Sequence, residues 1–292
     1  MAMLNLKGTG VAVVTPFKKD GSIDFPALKK IINFQIDNKV EYLVALGTNG
    51  EPATLSQDEK NEIIDFFIET VDERIPLVIG FSSNCTCRVT DSIKQTYFKH
   101  ISAVMSVAPY YNQPSQEGIY QHYKMIAETS PVPVILYNVP ARAVVNITAK
   151  TALRLAHEVP NIVAIKETSG DFTEIMEIIA NKPANFHVLS GFDAFTLPLI
   201  YSGASGAISG IANAFPFEVS EMVRRALAND TAEAQKLHYK LFPFFQAVIQ
   251  EGSPSGLKSL MSQMGLLENN FRLPMTPVSE ANHKAIAELL KK

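Results

Sequence analysis

Short runs of β-favouring apolar residues alternate with segments of helical periodicity along most of this 292-residue chain. Eight such runs are predicted as strands, at residues 11–15, 42–46, 77–80, 103–108, 134–137, 163–166, 188–191 and 206–209. Several of them are apolar throughout, which is typical of strands that are buried on both faces. Repeated strand-then-helix order predicts parallel pairing with right-handed crossovers.

The predicted helices begin at side chains that cap free backbone amides. Asp24 followed by Pro26 marks one helix start, and Ser56 with Glu59 forms a capping box for the next helix. Ser115 and Thr148 open later helices in a similar way.

Two architectures accommodate this alternation, a closed (β/α)8 barrel and an open doubly wound sheet. No G-x-G-x-x-G follows the first predicted strand and no P-loop motif occurs in the sequence, so the nucleotide-binding open sheet loses its main support. We predict an α/β protein with a (β/α)8 TIM barrel over residues 1–230 and a helical C-terminal domain over residues 231–292. One apolar helix face is predicted in that domain, formed by Ala232, Leu237, Leu241 and Phe245.

The net charge and the cysteine content indicate which binding partners and which cellular compartment to expect. Twenty-six basic and 29 acidic residues give a net charge of −3, which leaves no basic surface for a nucleic acid or an anionic membrane. Cys85 and Cys87 are too few for a disulfide framework and lack zinc-site spacing, so we interpret them as free thiols. Residues 1–10 lack the apolar stretch of a signal peptide, and we expect a cytoplasmic location.

Polar residues that end the apolar runs form the candidate site, because strand carboxyl ends in a (β/α)8 barrel face a common mouth. These residues are Gly47-Thr48-Asn49-Gly50-Glu51, Pro109-Tyr110-Tyr111-Asn112, Tyr137-Asn138, Lys166-Glu167 and Ser190-Gly191. The six histidines fall mostly in helical segments or at a strand start, so no metal site is expected.

Lys166 follows the apolar stretch 162–165, so its ammonium emerges from a strand whose neighbours exclude water. Burial disfavours the charged form of a lysine, and a neutral amine can attack a carbonyl to form a Schiff base. The alternative is a lysine that pairs with Glu167 or another carboxylate at the end of a strand.

Schiff-base chemistry also requires proton transfer, and tyrosine hydroxyls can relay protons without adding a competing charge. Tyr111, Tyr137 and Thr48 each end a predicted strand, so three hydroxyls can converge on the amine. The alternatives are a core tyrosine at position 137 and interface aromatics at positions 110 and 111.

Two features are suited to carboxylates. The turn of residues 47–51 exposes backbone N–H groups at a strand end, and the guanidinium of Arg142 can form a two-pronged contact. The alternative role for Arg142 is a surface salt bridge.

These segments, together with Arg142 and with Arg272-Leu273-Pro274-Met275-Thr276-Pro277, resemble the dihydrodipicolinate synthase family of the class I pyruvate aldolase superfamily. The likeness extends from about residue 8 to residue 277. It implies a (β/α)8 barrel with a helical C-terminal domain, usually assembled as a homotetramer from two tight dimers. It also implies condensation of pyruvate with L-aspartate 4-semialdehyde to 4-hydroxy-tetrahydrodipicolinate, without a cofactor, as the first committed step of diaminopimelate and lysine biosynthesis.

The resemblance implies a role for each catalytic candidate. Lys166 would form the imine with pyruvate, and Tyr137 would be the central acid and base. Thr48 and Tyr111 would complete the proton relay, with Tyr111 reaching in from the neighbouring subunit.

The resemblance implies substrate contacts as well. The backbone at Thr48 and Asn49 would hold the pyruvate carboxylate, and Arg142 would hold the semialdehyde carboxylate at the entrance. Gly191 and Ile208 would offer carbonyl groups to the pocket.

The sequence departs from the family pattern at two places. Asn49 stands where threonine or serine is common, so we expect altered pyruvate affinity, with an amide N–H able to replace the hydroxyl as donor. Ala143-Val144 follows Arg142 where many members have threonine and glycine, so the resemblance does not carry over to the shape of the entrance.

Two other functions are compatible with parts of the pattern. N-acetylneuraminate lyase and 2-keto-3-deoxy sugar acid aldolases share the lysine and tyrosine but typically have an uncharged residue near Arg142. A non-catalytic barrel that only binds pyruvate has no reason to retain the amine with three relay hydroxyls.

Feedback regulation is the last expectation from the resemblance. Lysine-inhibited members carry histidine at the position of Lys60 and glutamate at that of Arg88. Two cations in place of these residues repel the ammonium of a bound lysine, so we expect a lysine-insensitive enzyme.

Overall fold

Eight parallel strands close into a barrel in chain order in the computed structural model, which describes residues 5–291. Strand β1 pairs with both β2 and β8, which closes the sheet. The strands are β1 Gly8–Ala12, β2 Tyr42–Ala45, β3 Leu77–Gly80, β4 Ala103–Val107, β5 Val134–Asn138, β6 Ile162–Glu167, β7 His187–Ser190 and β8 Gly206–Ser209. The predicted (β/α)8 barrel is therefore confirmed. Residues 1–4 of the N-terminal segment and Lys292 lie outside the described part.

Helices cover the outside of the barrel and follow it at the carboxyl end of the chain. They are α1 Phe25–Asp37, α2 Gln57–Val71, α3 Thr86–Gln95, α4 Gln116–Thr129, α5 Pro140–Ala143, α6 Ala149–Glu158, α7 Phe172–Asn181, α8 Thr196–Tyr201, α9 Pro216–Leu227, α10 Thr231–Ile249, α11 Ser255–Gln263 and α12 Glu280–Leu290. The predicted N-caps are confirmed for the four helices concerned: Asp24, Ser56, Ser115 and Thr148 each accept a hydrogen bond from a backbone N–H of the first turn. Short 3-10 turns follow β2, β7 and β8.

The position of the first strand was predicted wrongly. It lies at Gly8–Ala12 rather than at residues 11–15. The physical reason lies inside the barrel, where the ring of Tyr42 occupies the space beside Gly10, and a Cβ on Gly10 would lie 2.1 Å from that ring. Glycine is therefore required in the middle of this strand, although in sequence it resembles a turn.

The core has two layers. Alternate strand residues point into the barrel, among them Tyr42, Met105, Ile135 and Leu189, and pack against one another. The other faces of the strands pack against the helices, where Ile31, Ile63 and other apolar side chains are fully buried. The apolar interior excludes water below the mouth of the barrel, and polar side chains collect above it.

Three helices follow the eighth strand-helix unit. Helix α10 packs along α9, and α11 and α12 pack on α10. Leu241 and Phe245 of the predicted apolar face are buried, whereas Ala232 is exposed and Leu237 is half-buried. The division into domains at residue 230 stays a prediction. Among the described helices, none combines the length and apolar character needed to cross a membrane.

Candidate active site

Lys166 and Tyr137 lie side by side at the mouth of the barrel. They are partners in the register of β6 and β5, and each is 5% exposed. The Nζ atom of Lys166 lies 4.2 Å from the centre of the Tyr137 ring. The β-barrel therefore presents an amine and a phenol to each other in a site that excludes most water.

The Thr48 hydroxyl joins this pair from the end of β2. It donates a hydrogen bond of 3.4 Å to the Tyr137 hydroxyl. Burial acts to raise the pKa of Tyr137, but the Lys166 ammonium and the hydrogen bond from Thr48 outweigh it, so the pKa is lowered from its ordinary value. A phenol with a lowered pKa gives up its proton more readily, which suits an acid and base.

Glu167 is not the partner of Lys166, because neighbouring residues of a strand point to opposite faces. Its carboxylate accepts hydrogen bonds from Asn138 Nδ2 at 2.9 Å and from Ser169 Oγ at 2.9 Å, behind the strands. Burial raises the pKa of Glu167 to about 7. The second amide hydrogen of Asn138 is donated to Asn146, so this network supports the ends of β5 and β6 from outside the barrel.

Gly191 closes the site next to Lys166. Its N–H donates to the Glu167 carbonyl at 2.6 Å, and a Cβ at this position would lie 2.6 Å from Cε of Lys166 and 2.2 Å from Oγ1 of Thr168. Only glycine leaves room for these two side chains. Ile208 lies in β8 with its side chain buried inside the barrel.

The turn after β2 carries Thr48 and Asn49 as a single 3-10 turn, Thr48–Gly50. The Asn49 side chain is buried and points to the barrel wall. Its Nδ2 donates to the Ala12 carbonyl at 3.3 Å, and its Oδ1 accepts from Ser253 Oγ at 3.1 Å. This amide has protein partners on both of its polar atoms.

Arg142 lies exposed on α5, above Tyr137. Its Nη2 donates to the Ser253 carbonyl at 2.8 Å. Val144, at the end of α5, has a φ of 59°, a left-handed conformation that β-branched residues rarely adopt. The backbone at this position has the conformation that glycine favours, although the residue is valine.

Tyr111 stands apart from the other hydroxyls within one chain. Its side chain is 85% exposed and its φ is 73°. The structure therefore brings together Lys166, Tyr137 and Thr48, and it leaves Tyr111 directed to the surface. A contribution of Tyr111 from a second subunit stays a prediction.

A cavity of about 590 Å³ lies beside Thr48 and Tyr137. Arg142, Lys60 and Arg88 also line it. The lining is mainly apolar, and the side chains of Arg88 and Arg142 are exposed to solvent. Within residues 5–291, no group of three histidine, cysteine or acidic side chains is placed to hold a metal ion.

Sequence reasoning missed several residues of the site. Thr168 lies two positions after Lys166, on the same face of the chain, so the period of a strand was a usable signal. The hydroxyl of Thr168 lies near Tyr137 and acts with Thr48 to lower its pKa. Ser253 and Lys258 come from the C-terminal segment, and no local pattern in the sequence links them to the barrel mouth.

The sequence profile of the Dihydrodipicolinate synthetase family matches residues 5–292. The chain belongs to the dihydrodipicolinate synthetase family. It is 49% identical over 291 residues to a 4-hydroxy-tetrahydrodipicolinate synthase of Parabacteroides distasonis, a match that covers 100% of this chain and 98% of the relative.

Solved structures of this family agree with the fold over nearly the whole chain. The chloride-inhibited dihydrodipicolinate synthase of Acinetobacter baumannii, complexed with pyruvate, is 38% identical with a TM-score of 0.95, covering 98% of each chain. A monomeric dihydrodipicolinate synthase variant is 35% identical with a TM-score of 0.95, covering 98% of this chain and 96% of that one. The predicted family and the predicted enzyme class, a lyase, are confirmed. The comparisons favour 4-hydroxy-tetrahydrodipicolinate synthase over the alternative, a sugar acid aldolase.

Replacing Val144 by Gly should stabilise the protein by about 1 kcal/mol, because a left-handed backbone costs a side-chain-bearing residue about 1 to 2 kcal/mol. Val144 is 67% exposed, so little packing is lost. Urea unfolding measures the change. The matched control is Val145→Gly, which removes a buried side chain without relieving a left-handed backbone and should destabilise by about 2 kcal/mol. A less stable Val144→Gly variant would contradict the interpretation.

L-Lysine should leave the initial rate unchanged up to tens of millimolar at fixed pyruvate. Lys60 and Arg88 both line the cavity, and like charges a few ångströms apart repel by about 1 to 4 kcal/mol. The matched variant, Lys60→His with Arg88→Glu, removes both fixed cations and supplies a carboxylate partner, so it should gain inhibition by lysine. Clear inhibition of the unmodified enzyme would show that the two cations do not exclude the effector.

Proposed function

We propose that this protein condenses pyruvate with L-aspartate 4-semialdehyde through a Schiff base on Lys166, giving 4-hydroxy-tetrahydrodipicolinate. The observation that carries this proposal is the buried amine of Lys166 against the Tyr137 ring, with the Thr48 hydroxyl hydrogen-bonded to the hydroxyl of the same phenol. An amine, a phenol and an alcohol in one dry pocket are the groups that imine chemistry requires.

The amine of Lys166 adds to the C2 carbonyl of pyruvate, and loss of water gives the imine. Removal of a proton from the methyl group gives an enamine, whose carbon attacks the aldehyde of the second substrate. The new alkoxide takes a proton, and the amino group of the second substrate then displaces Lys166 from C2 and closes the ring. Imine formation, enamine formation and protonation of the alkoxide each require a proton transfer near Lys166, and we assign these transfers to Tyr137.

The lowered pKa of Tyr137 fits this cycle. The phenol donates when the carbonyl oxygen leaves as water and accepts when the methyl group loses its proton. Thr48 holds the hydroxyl from the other side, so a proton can pass along the pair without a charged residue entering the pocket.

The two substrate carboxylates have separate places in this proposal. The backbone N–H groups at Thr48 and Asn49 belong to the 3-10 turn that follows β2, and N–H groups of such a turn suit the carboxylate of pyruvate. Arg142 suits the carboxylate of the semialdehyde, at the entrance. The carbonyls of Gly191 and Ile208 complete the pocket walls next to Lys166.

We further propose that the enzyme works as a homotetramer built from two tight dimers, with Tyr111 acting across the dimer. In support, Tyr111 and Leu273 are large side chains held 85% and 81% exposed near the barrel mouth. A cytoplasmic location is supported by Cys85 and Cys87, which are both free and exposed.

Arg142 also argues against a sugar acid as the second substrate. The aldehyde products of those aldolases carry hydroxyl groups and no carboxylate beside the reacting carbon. With such an aldehyde, Arg142 forms no charge-assisted hydrogen bond to a carboxylate, so it does not favour a sugar acid.

Borohydride reduction in the presence of pyruvate should attach one pyruvate-derived group to Lys166. Intact mass and peptide mapping measure the adduct. Lys166→Ala should fold and form no adduct, and Lys284→Ala, which changes an exposed lysine of α12, should form it as the unmodified chain does. An adduct on another residue, or none, would falsify the Schiff-base assignment.

Arg142→Ala should reduce use of the semialdehyde more than formation of the pyruvate imine. A charge-assisted hydrogen bond contributes about 1.5 to 3 kcal/mol, which corresponds to a loss of about tenfold to a hundredfold in kcat/KM for the semialdehyde. Steady-state kinetics and borohydride trapping separate the two steps. Arg154→Ala, which removes an arginine on the outer helix α6, serves as the control. Equal loss in both steps would show that Arg142 maintains the shape of the site and does not bind the semialdehyde specifically.

A further inference from the structure

A buried ion pair joins the C-terminal helices to the turn that carries Thr48 and Asn49. Lys258 of α11 donates from Nζ to Oε1 of Glu51, and the side chains are 0% and 2% exposed respectively. The two residues lie 207 positions apart in sequence. The mechanism proposed above uses neither the charge of Lys258 nor that of Glu51.

Glu51 is the residue at which the turn ends. Its backbone has φ 53° and ψ 43°, and its N–H donates to the Thr48 carbonyl at 3.2 Å. The left-handed conformation costs a non-glycine residue about 1 to 2 kcal/mol, so the surroundings must hold it in place. Because Glu51 ends the turn, a contact of its side chain acts on the backbone segment that also carries Thr48 and Asn49.

Glu51 is the acidic residue that Lys258 contacts, and two aromatic rings also lie next to the ammonium. Phe17 and Phe271 place their ring centres 4.3 Å and 4.9 Å from Nζ. Arg272, the nearest cation that could serve Glu51 instead, is held by Glu59 through two hydrogen bonds of 2.9 Å and 2.6 Å. Lys258 and Glu51 therefore pair with each other, while Arg272 pairs with Glu59.

The same C-terminal segment contacts the turn a second time. Ser253, five residues before Lys258, donates to Asn49 and accepts from Arg142 through its carbonyl. Both sides of the carboxylate-binding turn are thus held from outside the barrel sheet.

A buried ion pair adds little to stability in general, because desolvation of the two charges offsets their attraction. In some proteins a buried pair instead fixes one conformation of the segments that it joins. We propose that Lys258 is a positioning residue for pyruvate: through Glu51 it holds the turn of Thr48 and Asn49 in the geometry that receives the pyruvate carboxylate. This inference rests on the proposed function and names a second part of the chain that the pyruvate site needs.

Three variants test this role. Glu51→Asp withdraws the carboxylate by one methylene, and Lys258→Met removes the cation at similar length. The double variant Glu51→Leu with Lys258→Met removes both charges, so that neither is left buried and unpaired. The control is Lys284→Met, because Lys284 pairs with Glu280 on the exposed face of α12.

The readouts are thermal unfolding, the pyruvate concentration that gives half-maximal borohydride trapping on Lys166, and the KM of each substrate. We expect the variants that fold to need at least about tenfold more pyruvate for half-maximal trapping, since small displacements of binding groups have effects of this size. Trapping at saturating pyruvate should reach the yield of the unmodified chain, and the KM of the semialdehyde should change less than twofold. Lys284→Met should match the unmodified chain throughout.

The outcomes separate this inference from the proposed function. No adduct on Lys166 in the unmodified chain defeats the proposed function and the inference with it. An adduct there, together with unchanged pyruvate requirement in any folded variant that lacks the Lys258 charge, overturns the inference alone. Loss of the fold in all three variants assigns the pair to stability and overturns the positioning role.

Discussion

The parallel pairing of β5 with β6 is the interaction on which the rest of the site depends. It sets Tyr137 directly beside Lys166 and turns both side chains toward the mouth of the barrel. Closure of the sheet through β1 and β8 then brings the end of β2 within hydrogen-bond distance of the same phenol. An open sheet with the same strands would leave Thr48 and Lys166 several strands apart.

The barrel also controls the electrostatics of the site. The apolar layers below the mouth exclude water, so the Lys166 ammonium acts strongly on its neighbours, and the pKa of Tyr137 is lowered despite burial. Glu167, the one acidic residue adjacent in sequence, is directed to the opposite face and remains bound to Asn138 and Ser169. The inner face therefore carries the amine and the hydroxyls without a carboxylate from this strand beside them.

Much of this arrangement was predicted from the sequence because it depends on local patterns. The eight apolar runs, the helix caps and the polar residues at the strand ends have periods and spacings that a single sequence displays. The first strand was misplaced because Gly8 and Gly10 resemble a turn until the ring of Tyr42 is seen to occupy the adjacent space. The left-handed conformation of Val144 has no signal in the sequence, because a β-branched residue rarely adopts it.

The sequence by itself determined the alternation of strands and helices, the candidate lysine at the end of β6 and the order of the polar residues around the mouth, because each of these follows from neighbours within a few positions. Only the tertiary structure decided which residues meet: Thr168 beside Tyr137, Ser253 against Asn49 and Lys258 against Glu51. The physical reason is that these contacts join segments far apart in sequence, and the local secondary-structure preference of each segment does not depend on which residue it contacts. The packing of the whole chain determines which counter-ion a buried charge contacts, so no local sequence pattern predicts that contact.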